Sequence, residues 1–272
     1  MASSVLLLLL LVCVLFLVLH AGRDQGSGSG SGSGSDRIVR PPAGHGQRIY
    51  ISLTTIAQRL DLTYVTIRSL IRGNLLPDAI YLFLSREPFL LDEGVDADGK
   101  HRQSLDRIER LKAEFQNLHV VFVSNTGPRR KLLPLLREKW QEDCLIVTVD
   151  DDTIYHRNML ASLINYYLHS GGQAIVALRV RRIGFCVTAR AAADGQDMDL
   201  HYAPYMHRGR GAWPFVGAGM RELFLLPIGF GGVLYRPAFF SAFVFDEALG
   251  NLTRTADDLL FRLATLANRI EV

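Results

Sequence analysis

The sequence predicts an α/β fold, in which a mostly parallel β-sheet is flanked by helices and is preceded by a membrane anchor and a flexible stem. Three observations lead to this fold class. From about Arg48 onward, short apolar runs alternate with segments of helical spacing. A wholly apolar stretch opens the chain, and a Gly-Ser tract separates it from the rest. The 272 residues, less this N-terminal tail, leave room for one large domain or two small ones.

The overall composition excludes several classes of protein. Hydrophobic residues make up 49% and charged residues 21%, so neither global disorder nor a fibrous repeat fits. A formal net charge of +3, without a long Lys/Arg run, lacks the basic patch that a nucleic-acid partner needs. Three cysteines do not make a disulfide framework. Cys144 and Cys186 each sit beside a strand-like run, which favours buried free thiols over a pair.

The first 22 residues carry a membrane signal. Residues 5–19 are wholly apolar, which is at the short end of the length that a spanning helix needs. The run is also typical of a cleaved signal peptide, with Ala21 as the small residue before cleavage. We favour an uncleaved signal anchor over residues 1–22 and therefore a single-pass membrane protein. In a eukaryotic cell the folded part would face the lumen of the Golgi or the endoplasmic reticulum, but no basic residue precedes the apolar run to fix this orientation.

A flexible stem, residues 23–47, follows the anchor. Gly and Ser alternate over residues 26–35, a composition that buries no apolar surface and behaves as a tether. Pro41 and Pro42 continue the stem. The folded domain then spans residues 48–272. An anchor, a tether and a folded head suit an enzyme whose substrates pass along a membrane.

Strands and helices are predicted to alternate through this domain. Apolar runs such as 79–84 are typical of buried strands, and apolar residues at helical spacing, as in 104–115, are typical of amphipathic helices. Strands separated by helices favour a parallel sheet covered on both faces. In such sheets ligands bind beyond the carboxyl ends of the strands. The predicted strands are 49–53, 79–84, 119–123, 145–149 and 174–178, and the predicted helices are 61–72, 104–115, 132–140 and 158–168.

Three aspartates, Asp150, Asp151 and Asp152, follow the fourth predicted strand. Consecutive carboxylates repel each other unless a cation or several hydrogen-bond donors lie among them. Oxygen ligands of this kind suit Mg²⁺ or Mn²⁺ bound together with substrate phosphates. Along an extended chain, Asp150 and Asp152 would point to one side and Asp151 to the other. The alternative is an acidic turn that caps the next helix, with Asp152 near its N-terminus.

Five strings of the sequence follow one another in a recognisable order. They are ISLTTIAQRL at Ile51, KLLPLL from Lys131, VTVDDDTIY at Val147, GFGGVLYRP at Gly229 and TADDLLF at Thr255. Together, over roughly residues 48–270, they resemble GT-A-type glycosyltransferases of the family 2-like kind associated with capsule and wall polysaccharides, whereas residues 179–221 match nothing. The resemblance implies a Rossmann-like GT-A fold and transfer of a sugar from a nucleotide-sugar donor, with a UDP-sugar favoured. The acceptor would be a hydroxyl group of a glycan, a lipid or a protein.

For the aspartates after the fourth strand, the resemblance implies an Asp-x-Asp metal site. Asp150 and Asp152 occupy the positions that hold a divalent cation, Mn²⁺ or Mg²⁺, on the nucleotide-sugar diphosphate. Asp151 would belong to the nucleotide-sugar site. The cation would neutralise the diphosphate as it leaves.

The same resemblance places the nucleotide pocket at the end of the first strand, at Thr54 and Thr55, with Arg59 shortly after. The alternative is that the threonines only end a strand and that Arg59 is a solvated helix charge. Arg130 and Lys131 are predicted to face the same sheet edge. Because two basic residues at a helix start are electrostatically unfavourable, an anion such as the diphosphate would explain them, and plain surface charge is the alternative.

A second acidic pair, Asp257 and Asp258, follows Thr255, which is a predicted helix N-cap. Acidic residues in a first turn compensate the helix dipole, and this alone would explain the pair. The resemblance instead implies an inverting transferase in which Asp258 is the general base that removes the proton of the acceptor hydroxyl. Asp257 would then contact the acceptor.

Glycines at positions 229, 231 and 232 precede a short apolar run. Residues without a Cβ allow the close approach of a sugar ring or a tight bend into a strand. The resemblance assigns Gly231 and Gly232 to the nucleotide-sugar site. Trp213 and Phe215 are able to stack on a sugar, but core packing is the preferred interpretation for both.

Two other functions remain open. An Asp-x-Asp pair at a strand end also occurs in phosphohydrolases with an aspartyl-phosphate intermediate. That class needs Thr or Val where Ile154 stands and a lysine later in the chain, and no lysine follows Lys139. The second alternative is an inactive or binding-only transferase homologue, because the chain ends soon after the second acidic pair, where relatives continue. Hydrolysis of UDP-sugars with and without manganese would separate these functions.

Overall fold

The computed structural model describes residues 46–183 and 221–272. The predicted anchor and nearly all of the predicted stem lie outside these residues, as do Cys186, Trp213 and Phe215, so the domain boundaries stay predictions. Within the described ranges, no helix combines the length and the apolar character that crossing a bilayer requires.

A mostly parallel sheet forms the centre of the described structure, and this confirms the predicted α/β class. The strands are β1 (Arg48–Thr54), β2 (Ala79–Leu84), β3 (Leu118–Phe122), β4 (Cys144–Thr148), β5 (Val176–Ala177), β6 (Val180–Arg182), β7 (Leu225–Pro227) and β8 (Val233–Tyr235). Six of them form one sheet in the order β3-β2-β1-β4-β8-β5. The first four are parallel to one another, whereas β8 is antiparallel to both β4 and β5. β6 and β7 form a separate pair.

Helices connect the parallel strands and cover the sheet. They are α1 (Leu60–Leu70), α2 (Arg102–Glu109), α3 (Leu133–Glu138), α4 (Met159–His169), α5 (Glu247–Leu252) and α6 (Asp257–Ala267). α1 packs against α2, and α4 packs against β5 and β8. Every residue of β4 is buried, as expected for a strand that is covered on both faces. Cys144 lies in this strand as a buried free thiol, as the sequence predicts.

The predicted elements differ from the structure at three places. The helix predicted at 104–115 is α-helical only over α2 and continues as a 3-10 turn. The helix predicted at 132–140 is shortened to α3, and the 3-10 turn Gly127–Lys131 precedes it. The strand predicted at 174–178 is reduced to β5, because the chain leaves the sheet there and pairs as β6 with β7. The strand predicted at 79–84 has the predicted bounds.

The antiparallel strand β8 brings a distant segment to the carboxyl end of β4. Thr148, the last residue of β4, pairs with Val233, the first residue of β8. The segment after β4 and the segment before β8 therefore lie at the same edge of the sheet. α6 packs against β7, and its buried Arg262 donates to the backbone oxygens of Leu223 and Ile270. This packing fixes the start of α6 at the same edge.

Candidate active site

A buried lysine, Lys131, lies between carboxylates from two distant parts of the chain. Its Nζ is 2.9 Å from Oδ1 of Asp150, just after β4, and 2.8 Å from Oδ2 of Asp257, in the first turn of α6. Only 8% of its side chain is exposed. Burial alone would lower the pKa of Lys131, but the carboxylates of Asp257, Asp150 and Asp258 raise this pKa well above its usual value. The lysine is therefore a fixed positive charge that joins the two acidic segments.

Gly229 allows these charged groups to converge. A Cβ at this position would lie 2.8 Å from Nζ of Lys131, 3.0 Å from Oδ1 of Asp150 and 3.3 Å from Oδ1 of Asp258. The backbone N–H of Gly229 donates a hydrogen bond of 3.1 Å to Oδ2 of Asp258. A side chain here would displace at least one of the charged groups, so the close approach itself requires glycine.

Asp258 has the electrostatic environment of a general base. Burial raises its pKa to about 6. Lys131 opposes this rise, whereas the carboxylates of Asp257 and Asp150 add to it. A carboxylate with this pKa is ionised at neutral pH and is still basic enough to accept a proton from a reacting hydroxyl group. The arrangement can therefore hold and move a proton at Asp258.

Asp152 and Asp150 face different basic partners. Arg59, which follows β1, has its Nε 3.2 Å from Oδ2 of Asp151 and its Nη1 2.9 Å from Oδ2 of Asp152. Asp151 and Asp152 thus share one base, Arg59, so the aspartates do not follow the strict alternation expected along an extended strand. The reason is that β4 ends at Thr148, and the chain then turns instead of staying extended. The acidic turn does not cap the next helix either, since α4 begins well after it.

Asp151 is buried and ties β4 to β1 and α1. It accepts a hydrogen bond from Oγ1 of Thr55, and Thr63 of α1 donates to Thr55 at 2.8 Å. Burial raises the pKa of Asp151, and the hydrogen bond from Thr55 and the charge of Arg59 oppose the rise. Thr54 donates to a backbone oxygen of β2 at 2.8 Å. Both threonine hydroxyl protons are thus used inside the protein, so any contact with a nucleotide would use their backbone atoms or oxygen lone pairs.

Arg130 is engaged by a carboxylate inside the protein. The residue is 1% exposed, so its interpretation as plain surface charge is wrong. Its Nη2 is 2.8 Å from Oδ2 of Asp92 and donates to the backbone oxygen of Thr55 at 3.1 Å. Asn125 donates to the same Asp92 oxygen at 3.0 Å. Sequence reasoning missed Asp92, because it lies in an irregular loop after β2 that has neither strand nor helix periodicity.

Hydrogen bonds through Tyr155 link the glycine-rich turn before β8 to Asp150, in the segment that follows β4. The hydroxyl group of Tyr155 accepts a hydrogen bond from the backbone N–H of Asp150 at 2.9 Å and donates one to the backbone oxygen of Phe230 at 3.2 Å. Gly232 has a φ of +89°, and a Cβ at Gly231 would come within 2.9 Å of a neighbouring side chain. Both glycines therefore shape the turn. Tyr155, which makes both of these hydrogen bonds, is the last residue of the VTVDDDTIY string, but the sequence alone assigns it no role.

The first turn of α6 presents its acidic pair to the cluster. α6 begins after Ala256, and no side chain caps it, so the prediction of Thr255 as the N-cap is wrong. The reason is that the backbone stays non-helical for one more residue, Ala256. Asp257 and Asp258 instead contact the buried lysine and the glycine turn. Compensation of the helix dipole alone does not explain these contacts.

For a divalent cation, the site offers two carboxylates and not a complete protein cage. No group of three or more His, Cys, Asp or Glu side chains able to hold a metal ion occurs in the part of the chain that the structure describes. Asp150 and Asp152 each have one oxygen paired with a base, Lys131 or Arg59, which leaves the second oxygen of each carboxylate. Mg²⁺ is commonly held by one or two carboxylates, with water and substrate phosphates as the other ligands. These residues fit a cation that binds together with a diphosphate.

Comparison with known proteins gives only distant likenesses. No protein-family model and no curated protein matches the chain. Among solved structures, residues 1–349 of S. aureus TarS in complex with UDP give a TM-score of 0.46 at 16% identity, and the match covers 83% of this chain and 57% of that one. 4-Diphosphocytidyl-2C-methyl-D-erythritol synthase gives 0.40 at 11% identity, covering 75% and 82%. Glucosyl-3-phosphoglycerate synthase from Mycobacterium tuberculosis in complex with UDP gives 0.31 at 18% identity, covering 48% and 44%.

The matched part of TarS is thus less than two thirds of that chain's length. At these identities and TM-scores, the likenesses do not assign the chain to a family.

Proposed function

We propose that the chain is a GT-A-type glycosyltransferase that transfers a sugar from a nucleotide-sugar donor, with UDP-sugars favoured, to a hydroxyl group of a glycan, a lipid or a protein. The observation that carries this proposal is the convergence of Lys131, Asp150 and Asp258 on Gly229 at the carboxyl edge of the sheet. It brings a half-buried base with a pKa of about 6 together with a carboxylate suited to a metal–diphosphate complex.

On the donor side, Asp150 and Asp152 would hold Mn²⁺ or Mg²⁺. When bound, the cation supplies positive charge that stabilises the leaving diphosphate. Lys131 and Arg59 hold the two carboxylates through ion pairs of 2.9 Å each. Because Lys131 is buried and stays protonated, it also contributes a preorganised positive charge near the leaving group.

On the acceptor side, Asp258 accepts the proton of the attacking hydroxyl group. As the acceptor oxygen bonds to the anomeric carbon, the bond from that carbon to the diphosphate oxygen breaks, and the diphosphate keeps the electron pair. Attack on the face opposite the leaving group inverts the configuration. Asp257, held by Lys131 at 2.8 Å, would position the acceptor. The same lysine therefore couples the donor side to the acceptor side.

Membrane attachment is part of the proposal. Residues 1–22 would form a single-pass anchor, residues 23–47 a stem and residues 48–272 the catalytic domain, which in a eukaryotic cell would face the Golgi or endoplasmic reticulum lumen. The apolar run at 5–19 and the Gly-Ser tract support this organisation.

Nucleotide binding and turnover test the proposal together. Thermal unfolding of the full chain is measured with UDP-, GDP- and CMP-sugars, each with and without manganese, and we expect metal-dependent stabilisation by one nucleotide class. Release of sugar from the same donor then distinguishes a transferase from a binding-only homologue, which would bind without turnover. Hydrolysis of phosphate monoesters would indicate a phosphohydrolase instead. Absence of stabilisation by every nucleotide would refute the proposal.

A further inference from the structure

The 3-10 turn Gly127–Lys131 carries three consecutive basic side chains, and all three are buried. Lys131 and Arg130 are paired with carboxylates. Arg129 differs from them. It is 6% exposed, its Nε donates to the backbone oxygen of Thr126 at 3.1 Å, and no carboxylate of the described residues lies within ion-pair distance of its guanidinium group. Within the described part of the chain, its charge is therefore buried without a direct counter-charge.

A second buried arginine, Arg262, shows how a structural role satisfies such a group. Its Nη atoms donate to the backbone oxygens of Ile270, at 2.8 Å, and Leu223, and to Oγ1 of Thr265 at 3.2 Å. The Nη atoms of Arg129 have no hydrogen-bond acceptor among the described residues. Burying a charged group without partners costs free energy. Arg129 therefore has donors that no group of the described residues satisfies.

Arg254 adds a second positive charge beside Arg129. Its guanidinium carbon lies 5.1 Å from the centroid of the Phe89 ring, and this ring packs against the turn that carries Arg129. Burial and then the charge of Arg254 lower the pKa of Arg129, whereas Asp257 and Glu247 oppose the effect. The two like charges repel each other, and the carboxylates of Asp257 and Glu247 do not fully offset this repulsion together with the burial of Arg129, so a further anion would stabilise the pair.

The local structure makes room for the Arg129 guanidinium group. A Cβ at Gly250, in α5, would lie 1.5 Å from Nη1 and 2.7 Å from Cζ of Arg129. Any other residue at position 250 would occupy the place of the guanidinium group. Arg254 and Asp258 follow shortly after Gly250 in the chain. The segment 250–258 therefore packs against Arg129 through Gly250 and also contains the second arginine and the proposed base.

We propose that Arg129 and Arg254 form an anion subsite that binds a phosphate or carboxylate group carried by the acceptor. This inference rests on the proposed function. Planar guanidinium groups bind such oxyanions through paired hydrogen bonds, which a single ammonium group does not reproduce. The acceptor is favoured over the donor diphosphate because both arginines adjoin the segment that leads to Asp258. The carboxylates assigned to the donor side already have their own bases, Lys131 and Arg59.

Binding of inorganic phosphate and of sulfate tests the subsite without knowledge of the acceptor. The full chain, in detergent and with EDTA, is titrated with each anion, and thermal unfolding is followed. The variants are Arg129→Gln and Arg254→Gln, with Arg137→Gln as the control, because Arg137 is exposed and lies over the Phe245 ring instead. We expect Arg129→Gln to need about tenfold more anion, or still more, for the same stabilisation, since hydrogen bonds to charged groups are lost. Equal titrations for wild type and Arg129→Gln overturn the inference.

Repeating the sulfate titration with saturating UDP and magnesium separates the two sources of anion. If the arginines serve the acceptor, sulfate and UDP bind together. If UDP competes with sulfate, the arginines belong to the donor diphosphate and the acceptor assignment is overturned. Should wild type bind sulfate but no nucleotide, the proposed function fails while the anion subsite stands, so the two failures are distinguishable.

Transfer to paired neutral and acidic glycans completes the test. We expect transfer to the acidic member of each pair, and in Arg129→Gln an acceptor KM raised by about tenfold with little change in kcat. Arg129→Lys should restore only part of the affinity, because it returns the charge without the planar donor pair. Equal use of neutral and acidic glycans by the wild type would overturn the acceptor assignment.

Discussion

Replacement of Lys131 by methionine removes the charge at the centre of the site while keeping the length of the side chain. Removing one partner of a buried ion pair costs about 3–5 kcal/mol, because the other partner is left without compensation. The lysine side chain is 8% exposed, but its partners Asp257 and Asp150 are 12% and 31% exposed, so water offsets part of the loss. We therefore expect a cost near the lower limit, about 3 kcal/mol. For a domain of this size, that is a fall in melting temperature of about 6–12 °C.

The cost of Lys131→Met should also depend on pH. Burial raises the pKa of Asp258 to about 6, and Lys131 is the strongest influence that opposes this rise. Without the lysine the pKa of Asp258 rises further. A carboxylate whose pKa is raised by folding contributes stability below its unfolded-state pKa and loses that contribution as pH rises through the folded-state pKa. Lys131→Met should therefore be more destabilised, relative to wild type, at pH 8 than at pH 5.

Thermal unfolding at both pH values checks this prediction, with Lys139→Met as the matched control. Lys139 pairs with Glu138 and Glu142 at 3.2 Å and 3.1 Å, and because these partners are 56% and 35% exposed, water screens both pairs and its loss should cost about 1 kcal/mol or less. If Lys131→Met melts like the control at both pH values, Lys131 does not hold the acidic segments together, and the electrostatic argument is refuted.

Three further predictions concern the same cluster. The transfer rate of the wild type should be level at neutral pH and fall about tenfold per pH unit below pH 6, since Asp258 must be ionised to act as the base; a pH–rate profile checks this. Gly229→Ala should lower the free energy of unfolding by about 1–3 kcal/mol and reduce turnover, because its Cβ would lie 2.8 Å from Nζ of Lys131. The control is Gly46→Ala, which should change neither quantity because no atom lies within 4 Å of the added Cβ. Asp152→Asn should abolish the manganese-dependent stabilisation by UDP while the unliganded protein still unfolds cooperatively; wild-type binding of UDP and manganese would remove Asp152 from the metal site.

The central sheet could be predicted from the sequence because its strands are short apolar runs separated by amphipathic helices. β2 has the predicted bounds, and β1, β3 and β4 differ from them by one residue or so at either end. The strand predicted at 174–178 is longer than β5, because an apolar run does not show where the chain leaves the central sheet and begins to pair with β7 as β6. The alternation expected for the aspartates breaks down between Asp151 and Asp152, which share Arg59, since the period of a strand applies only as far as Thr148.

The candidate site was predictable only in part. The acidic pairs and the glycines have a local pattern, so the sequence shows them as candidates. Their meeting at Lys131 depends on β8 running antiparallel to β4, which no local pattern encodes. The partners Asp92 and Tyr155 lie in irregular segments, where neither periodicity nor spacing marks a residue. The role proposed for Arg129 is likewise not predictable from the sequence, because it depends on the lack of an ion-pair partner among the described residues.

The most direct test of the proposed mechanism compares Asp258→Asn and Asp257→Asn in one transfer assay, with UDP binding and melting temperature measured on the same preparations. We expect Asp258→Asn to lower transfer by about two to four orders of magnitude, because the base is lost, while UDP binding is retained. Its melting temperature at neutral pH should be unchanged or higher, since burial disfavours the ionised carboxylate that the variant removes. If Asp257→Asn is the inactive variant, the acidic pair is right and the base within it is wrong; normal transfer by both variants would contradict the account.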